Sequence, residues 1–321
     1  MNAEVFERTF SAVRDEVSRV VVGQEELVEQ VLVALIARGH VLLEGVPGVG
    51  KTLLVRALSL VVGANFKRIQ FTPDLMPTDV TGGNVFDARQ SAFVFVPGPV
   101  FTQLLLADEI NRAPAKTQSA LLEAMQDATV TADGVSRVLP QPFLVIATQN
   151  PVESQGTYPL PEAQLDRFLL KLMVSHPARE VEKRILQNFV NGFETAALDR
   201  AGLVRRAEVD TLLAMQEFVR TVRVDSEILD YVTDIVGRTR AHPSIYLGAS
   251  PRAAIGLVAV ARAQAASEGR DFVTPDDVKA YAAPVLRHRL ILHPEAELSS
   301  VGPDDCVEAI LREARVPKGI G

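Results

Sequence analysis

The run Gly45-Val46-Pro47-Gly48-Val49-Gly50-Lys51-Thr52 follows the apolar Val41-Leu42-Leu43 directly and has the spacing of a phosphate-binding loop between a strand and a helix. Glycines let a backbone turn tightly enough for successive N–H groups to point at phosphate oxygens. Lys51 then reaches the outer phosphates, and Thr52 offers its hydroxyl to Mg2+. A helix expected from Lys51 through Leu53-Leu54-Val55-Arg56-Ala57-Leu58 turns the positive end of its dipole toward the same anion. The chemistry implied is binding of a nucleoside triphosphate, with Gly45, Val46, Pro47, Gly48, Val49, Gly50, Lys51, Thr52 and Leu53 as candidate contacts. An ordinary glycine-rich turn has a similar composition, but it lacks the buried-type strand before it and the helical run after it.

Two further runs end in groups suited to the same chemistry. Leu104-Leu105-Leu106-Ala107-Asp108-Glu109 reads as a buried parallel strand that delivers two acids to the carboxyl end of a sheet, where open α/β folds place their ligands. Asp108 is a candidate for holding Mg2+, and Glu109 for polarising the water that attacks the γ-phosphate. Alone, the same letters also describe a strand running into a solvated turn. Pro142-Phe143-Leu144-Val145-Ile146-Ala147-Thr148 reads as a third strand, leading to Gln149-Asn150-Pro151. Asn150, expected between the other two strand ends, is a neutral amide that can hydrogen-bond the γ-phosphate or the attacking water. Asn-Pro is also a common turn signal.

The elements that must position these groups read as a mixed α/β half and a helical half. The chain has 321 residues, 47% hydrophobic and 23% charged, which suits a folded enzyme and excludes a fibre or a disordered tail. Its formal charge of −7 lacks the broad basic footprint of a nucleic-acid binder, so no DNA partner is expected. No uninterrupted apolar run is long enough to span a bilayer, and the acid-bearing first residues do not read as a signal peptide. The single cysteine, Cys306, fits a reducing compartment, and the expected location is the cytoplasm. Two hairpins are expected. In the first, Asn84 to Asp87 and Ser91 to Val96 flank Ala88-Arg89-Gln90; in the second, Ala128 to Thr131 and Val135 to Leu139 flank Asp133-Gly134. After His176-Pro177, helical spacing dominates over Arg179 to Val190, Glu208 to Arg220, Ser226 to Thr239, Pro251 to Ser267 and Pro275 to Tyr281. Gly237 to Ala249 reads as a long mobile connection, and Ser250 as the cap of the helix that follows. His288 and His293 stand close in sequence without ligand spacing, which favours packing or surface roles over a metal.

In their order these motifs resemble the AAA+ ATPases, and their wording is similar to the MoxR family. The resemblance rests on Phe71-Thr72-Pro73-Asp74-Leu75-Met76-Pro77-Thr78-Asp79-Val80-Thr81-Gly82, on Pro97-Gly98-Pro99-Val100-Phe101, on Ala107 to Pro114 and on the run from Gly156-Thr157-Tyr158 through Leu165-Asp166-Arg167-Phe168. It implies an α/β P-loop core with a parallel central sheet and hairpin insertions over residues 1–177, then an all-α lid over 178–321. It also implies a homo-oligomeric ring, commonly a hexamer, that hydrolyses ATP with Mg2+ to mature or activate protein clients, often ones with von Willebrand factor A domains.

By the same resemblance, Arg167 matches an arginine finger acting on the adjacent subunit's nucleotide. Arg252 matches a second sensor that acts in its own site or a neighbour's. Val22 and Gly23, within Val20-Val21-Val22-Gly23-Gln24, match the segment that packs on adenine, and Asn111, Arg112 and Glu123 fall in stretches expected to face a neighbour. Gly82-Gly83-Asn84 departs from the bulkier wording expected after that Thr-Gly, which leaves the contacts of the first hairpin open. Read from their residues alone, Arg167 also suits a surface ion pair and Arg252 a plain helix start. The alternative functions are the ATPase subunit of a metal-chelatase complex and, further off, an MCM-like DNA motor, which should carry basic hairpins.

Overall fold

Alternate residues of the central strands point into two different cores, and this period of two fixes the architecture. A computed structural model of the chain describes residues 1–46, 48–89, 91–132, 134–150, 157–194, 198 and 201–317. Pro47, Gln90, Asp133, Pro151 and Gly156, cited above, lie outside the described residues. The first half runs α1 (Ala3–Ser18), α2 (Glu25–Ile36), β1 (Val41–Gly45), α3 (Lys51–Val62), β2 (Phe66–Gln70), α4 (Pro77–Thr81), β3 (Gly82–Asp87), β4 (Ala92–Pro97) and β5 (Leu104–Asp108). It continues with a short 3-10 turn (Ile110–Arg112), α5 (Ala115–Asp127), β6 (Thr129–Ala132), β7 (Val135–Val138), β8 (Leu144–Gln149), α6 (Glu162–Leu165) and β9 (Leu170–Val174). A helical region follows: α7 (Arg179–Val190), α8 (Val209–Thr221), α9 (Ser226–Thr239), β10 (Ile245–Leu247), α10 (Pro251–Ser267), α11 (Pro275–Leu286), β11 (Ile291–Leu292), α12 (Pro294–Leu298) and α13 (Pro303–Glu313).

Five parallel strands form the central sheet in the order β2-β5-β8-β1-β9. Leu43, Leu104, Leu106, Ile146 and Leu172 face one core with α1, α2, α3 and the helical region, while Leu42, Leu105, Ala107, Val145 and Ala147 face the other with α5. Strands apolar on both faces are the signature of a parallel sheet covered by helices. The predicted α/β core is therefore present, and both predicted hairpins form, as β3–β4 and β6–β7. Arg137 of β7 stacks its guanidinium 3.7 Å from the Phe95 ring of β4, which ties the two hairpins together.

The helical region follows the sequence pattern closely, with three departures among the expected elements, and adds α12 and α13 beyond them. Gly237 to Ala249 is not a loose connection: Ile245–Leu247 pairs antiparallel with Ile291–Leu292, and the buried Thr239 hydroxyl accepts the Ala249 N–H at 3.0 Å. The small ribbon is an addition to the expected helical lid. Ser250 does not cap α10 with its side chain; its hydroxyl lies 3.5 Å from an Asp166 carboxylate oxygen instead. Helix α11 runs on to Leu286 through Pro284, beyond the helical spacing expected over Pro275 to Tyr281. His288 is buried and donates from Nε2 to the Phe168 carbonyl at 2.9 Å, while His293 packs edge-on against Tyr246. No helix among the described residues is long and apolar enough to cross a membrane.

His40, just before β1, fastens three elements. Its Nε2–H donates to the Met125 carbonyl of α5 at 3.0 Å, its Nδ1 accepts the Val145 N–H of β8 at 3.0 Å, and its own carbonyl accepts the Leu169 N–H at 2.8 Å. With one nitrogen donating and the other accepting, the ring must stay neutral. Burial pulls its pKa down to about 4, outweighing the Met125 carbonyl, which acts the other way. An unfolded histidine takes its proton near pH 6.5, so this contribution is whole above about pH 6.5 and is lost as the pH falls toward about 4. His288, also held low by burial, acts in the same direction. Urea unfolding from pH 7 to pH 4 should show His40→Gln less stable at neutral pH, with about 3 kcal/mol less acid-induced loss than the native chain. Parallel pH profiles for the two proteins would show that His40 does not carry the effect.

Candidate functional site

The site begins where β1 ends. The chain passes through Gly48 and Gly50, both at φ +82°, and a Cβ at either would meet nothing within 4 Å. The left-handed backbone, not crowding, selects glycine there, and it leaves open space above the loop. Helix α3 starts at Lys51 with no side chain capping its first turn, so its leading N–H groups remain available to an anion. Lys51 Nζ donates to the Gly45 carbonyl at 2.7 Å. Burial lowers the pKa of this amine, while Asp108, Glu109 and Glu44 act to raise it.

A cavity of about 410 Å³ opens over the loop. Gly45, Gly48, Gly50, Lys51, Thr52 and Leu53 line it on one side, and Asp108, Glu109 and Asn150 on the other. Neighbouring strands bring these together: β8 lies between β5 and β1, with Ala107 beside Ala147 and Leu43 beside Thr148. Val46 packs its side chain on the core instead. Next to this cavity, a more apolar cleft of about 470 Å³ shares Gly48, Gly50 and Leu53 with it, and adds Val22, Val49 and Gln24, together with Ile185 and Phe189 of α7. Gly23, exposed, stands beside this wall. An anion cradle joined to an apolar slot has the shape and size for a nucleotide.

The two acids are held by different partners. Asp108 Oδ1 accepts the Thr148 hydroxyl at 2.6 Å, and Oδ2 accepts the Arg68 guanidinium at 2.6 and 3.2 Å. Glu109 sits at φ +56°, a left-handed conformation that costs a non-glycine residue about 1–2 kcal/mol. Its N–H donates to Thr148 Oγ1 at 2.8 Å, and its Oε2 accepts Gln70 Nε2 at 2.8 Å and Arg112 at 2.9 Å. Thr148 is thus both donor to one acid and acceptor from the next, and it sets their relative orientation. A hydroxyl at Thr52 and a carboxylate at Asp108 on the same cavity are the oxygen donors that Mg2+ prefers, so the residues fit a Mg2+-nucleotide.

Arg167 and Arg252 do not line this cavity. Arg167 donates to the Leu122 carbonyl at 2.5 Å, and Arg252 lies 3.7 Å from Asp166, the residue beside Arg167. The two arginines therefore share one region of the surface, organised by Asp166. Asn111 is 4% exposed, and its carbonyl accepts the Tyr158 N–H inside the fold. Arg112 is turned to Glu109 of its own chain, and Glu123 is exposed.

Several site residues went unread in the sequence. Arg56 lines the cavity one helical turn after Thr52, a spacing that could have flagged it. Thr148 precedes Gln149-Asn150 at a strand end. Arg68 and Gln70 reach the acids only because β2 pairs with β5, with Gln70 beside Asp108.

Comparison with known proteins agrees with this geometry. Residues 40–170 match the family model described as ATPase family associated with various cellular activities (AAA), and residues 237–310 match the AAA lid domain. The uncharacterized protein YeaC of Bacillus subtilis is 48% identical over 94% of this chain and 93% of its own length. Chaperone MoxR1 of Mycobacterium tuberculosis is 45% identical over 94% of this chain and 81% of its own length. A crystal structure of a candidate ATPase from Cytophaga hutchinsonii superposes with a TM-score of 0.91 at 39% identity, covering 98% of this chain and 97% of that one. Magnesium-chelatase relatives stand further away, at 26% identity for the 38 kDa subunit of Acidiphilium rubrum.

The double use of Thr148 gives a direct test. Thr148→Val keeps the shape but removes the hydroxyl from both acids, and kcat for ATP turnover should fall by about tenfold to a hundredfold, with nucleotide binding nearly unchanged. Unchanged turnover in steady-state kinetics would count against this bridge.

Proposed function

This chain belongs to the MoxR family of AAA+ ATPases, and from that premise we propose that it hydrolyses ATP in a homo-oligomeric ring, commonly a hexamer, to mature or activate protein partners. The observation that carries the proposal is the meeting of three strand ends, Gly45, Asp108–Glu109 and Asn150, around one cavity beside an apolar slot. Loop N–H groups and Lys51 bind the phosphates, and Val22, Val49 and Leu53 take the base. Thr52 and Asp108 would hold Mg2+, which when bound offsets the negative charge of the phosphates. Glu109 orients and polarises the attacking water, and Asn150 hydrogen-bonds the same water or the γ-phosphate.

Arg167 and Arg252 complete the site from outside. Both stand away from their own chain's cavity, beside Asp166, so we assign both to the nucleotide of an adjacent subunit, where their charge would stabilise the transition state. Residues 1–177 then act as the nucleotide-binding core and 178–321 as the lid, and the hairpins, with exposed Phe86 and Phe93, face the client. The name of the mycobacterial relative supports a chaperone role. The family resemblance extends the clients to proteins with von Willebrand factor A domains. We place the work in the cytoplasm, in keeping with a buried, unpaired Cys306.

The DNA-motor reading has no basic cluster on either hairpin to support it: each carries a single arginine, Arg89 and Arg137, and Arg137 is engaged with Phe95. Glu109→Gln should bind ATP but lose turnover by about a hundredfold or more. Mixing Arg167→Ala subunits with Lys51→Ala subunits creates one class of interface with both parts intact, so mixed rings should regain activity that neither variant has alone. Mixed rings that stay inactive would argue against completion of the site by a neighbour.

A further inference from the structure

Both carboxylate oxygens of Asp108, the residue assigned to Mg2+, already accept hydrogen bonds within the chain. Thr148 occupies Oδ1, and the guanidinium of Arg68 sits on Oδ2 through two N–H groups, at 2.6 and 3.2 Å. Arg68 projects from β2, one strand over from β5, and its terminal nitrogen also donates to Gln70 Oε1 at 2.6 Å. That bond orients the Gln70 amide, whose Nε2 holds Glu109 at 2.8 Å. One exposed arginine is thus bonded to the metal carboxylate and, through Gln70, to the water-orienting one. Its side chain is 46% exposed, so its charge can move into solvent, whereas Asp108, 18% exposed, needs another cation in its place.

A guanidinium and a divalent cation both seek the same carboxylate electrons, and both are positive. They cannot share Oδ2 at contact distance without strong repulsion. We propose that Arg68 is a positioning residue that competes with the divalent cation for Asp108, and so sets how readily the site takes up the metal that accompanies its nucleotide. In this arrangement Arg68 keeps the acids neutralised until metal and nucleotide arrive together. A swing of Arg68 into solvent would also loosen the Gln70 amide, one of the two donors on Glu109 Oε2, the other being Arg112. The inference rests on the nucleotide reading of the cavity, but it concerns a residue that the reading itself does not need.

The test measures metal uptake, not turnover. Mn2+ is titrated into the full chain saturated with ADP, and free Mn2+ is followed by electron paramagnetic resonance. Arg68→Ala should bind Mn2+ about fivefold more tightly, the upper range for loss of a partly exposed ion pair, and Arg68→Lys should fall between the two. In an Asp108→Asn background, Arg68→Ala should change nothing. Weaker or unchanged Mn2+ binding by Arg68→Ala would overturn the competition, as would an equal gain in the Asp108→Asn background. Binding of a fluorescent ADP without metal separates the two levels of argument: a native chain that binds ADP but shows no Arg68 effect loses only this inference. A native chain that binds no ADP loses both. Thermal unfolding of each variant checks the fold.

Discussion

The parallel register of β5, β8 and β1 is the constraint on which the site depends. Backbone hydrogen bonds set Ala107 beside Ala147 and Leu43 beside Thr148, and this puts the ends of three strands in one row. A slip of one residue along any strand would reverse its faces, moving leucines such as Leu104 and Leu105 from one core to the other. Both faces are fully buried, so the register is held by packing on either side. The chemistry follows from what stands just past the ends: a turn with open N–H groups after β1, two acids after β5, an amide after β8. His40 reinforces the row from the other end of the sheet, since its ring joins Met125 to Val145.

A second fixed point lies at Asp166. Arg289 is 4% exposed and spreads its guanidinium over the Asp166 carboxylate at 2.6 Å and the Phe168 carbonyl at 2.8 Å. Removing Asp166 would leave the buried charge of Arg289 without its carboxylate, a costly state. This pair joins the segment before β9 to the turn after α11, and so locks core to lid. Arg167 on one side and Arg252 on the other flank this point, outside their own chain's cavity, which is the placement the proposed role toward another subunit needs.

What was legible in the sequence follows from how each feature is encoded. The phosphate loop and the Asp108-Glu109 pair are contiguous, so spacing alone reveals them. The hairpins and most lid helices show through period and turn residues, and α7 and α9 match their expected bounds at both ends. Thr148, Arg68 and Gln70 were not legible, because they meet the acids across strands distant in sequence. Helix α11 outruns its expected span because tertiary packing carries it through Pro284; Val285 and Leu286 beyond it are fully buried. The segment before Ala249 reads as a loop by composition, yet Thr239 and the β10–β11 pairing hold it. Helices α1 and α2, which carry much of the lid-side core, lie outside the motifs and went unread.

The isolated chain holds its reactive groups in bonds to itself. Lys51 turns to Gly45, Asp108 to Arg68 and Thr148, Glu109 to Gln70 and Arg112, and Arg252 toward Asp166. Each of these charges would otherwise face a partly desolvated cavity or edge alone, and an unpaired charge there is costly. Internal pairing therefore stabilises the resting chain, and every step of the proposed cycle must exchange such a bond for one to phosphate, metal, water or a neighbour. The arginines of the Arg68–Asp108 and Arg112–Glu109 pairs are 46% and 43% exposed and can exchange their carboxylates for water, whereas Arg289, 4% exposed, cannot. The division between bonds that can open and bonds that cannot follows burial, and it separates the parts of the site that change during turnover from the frame that holds them.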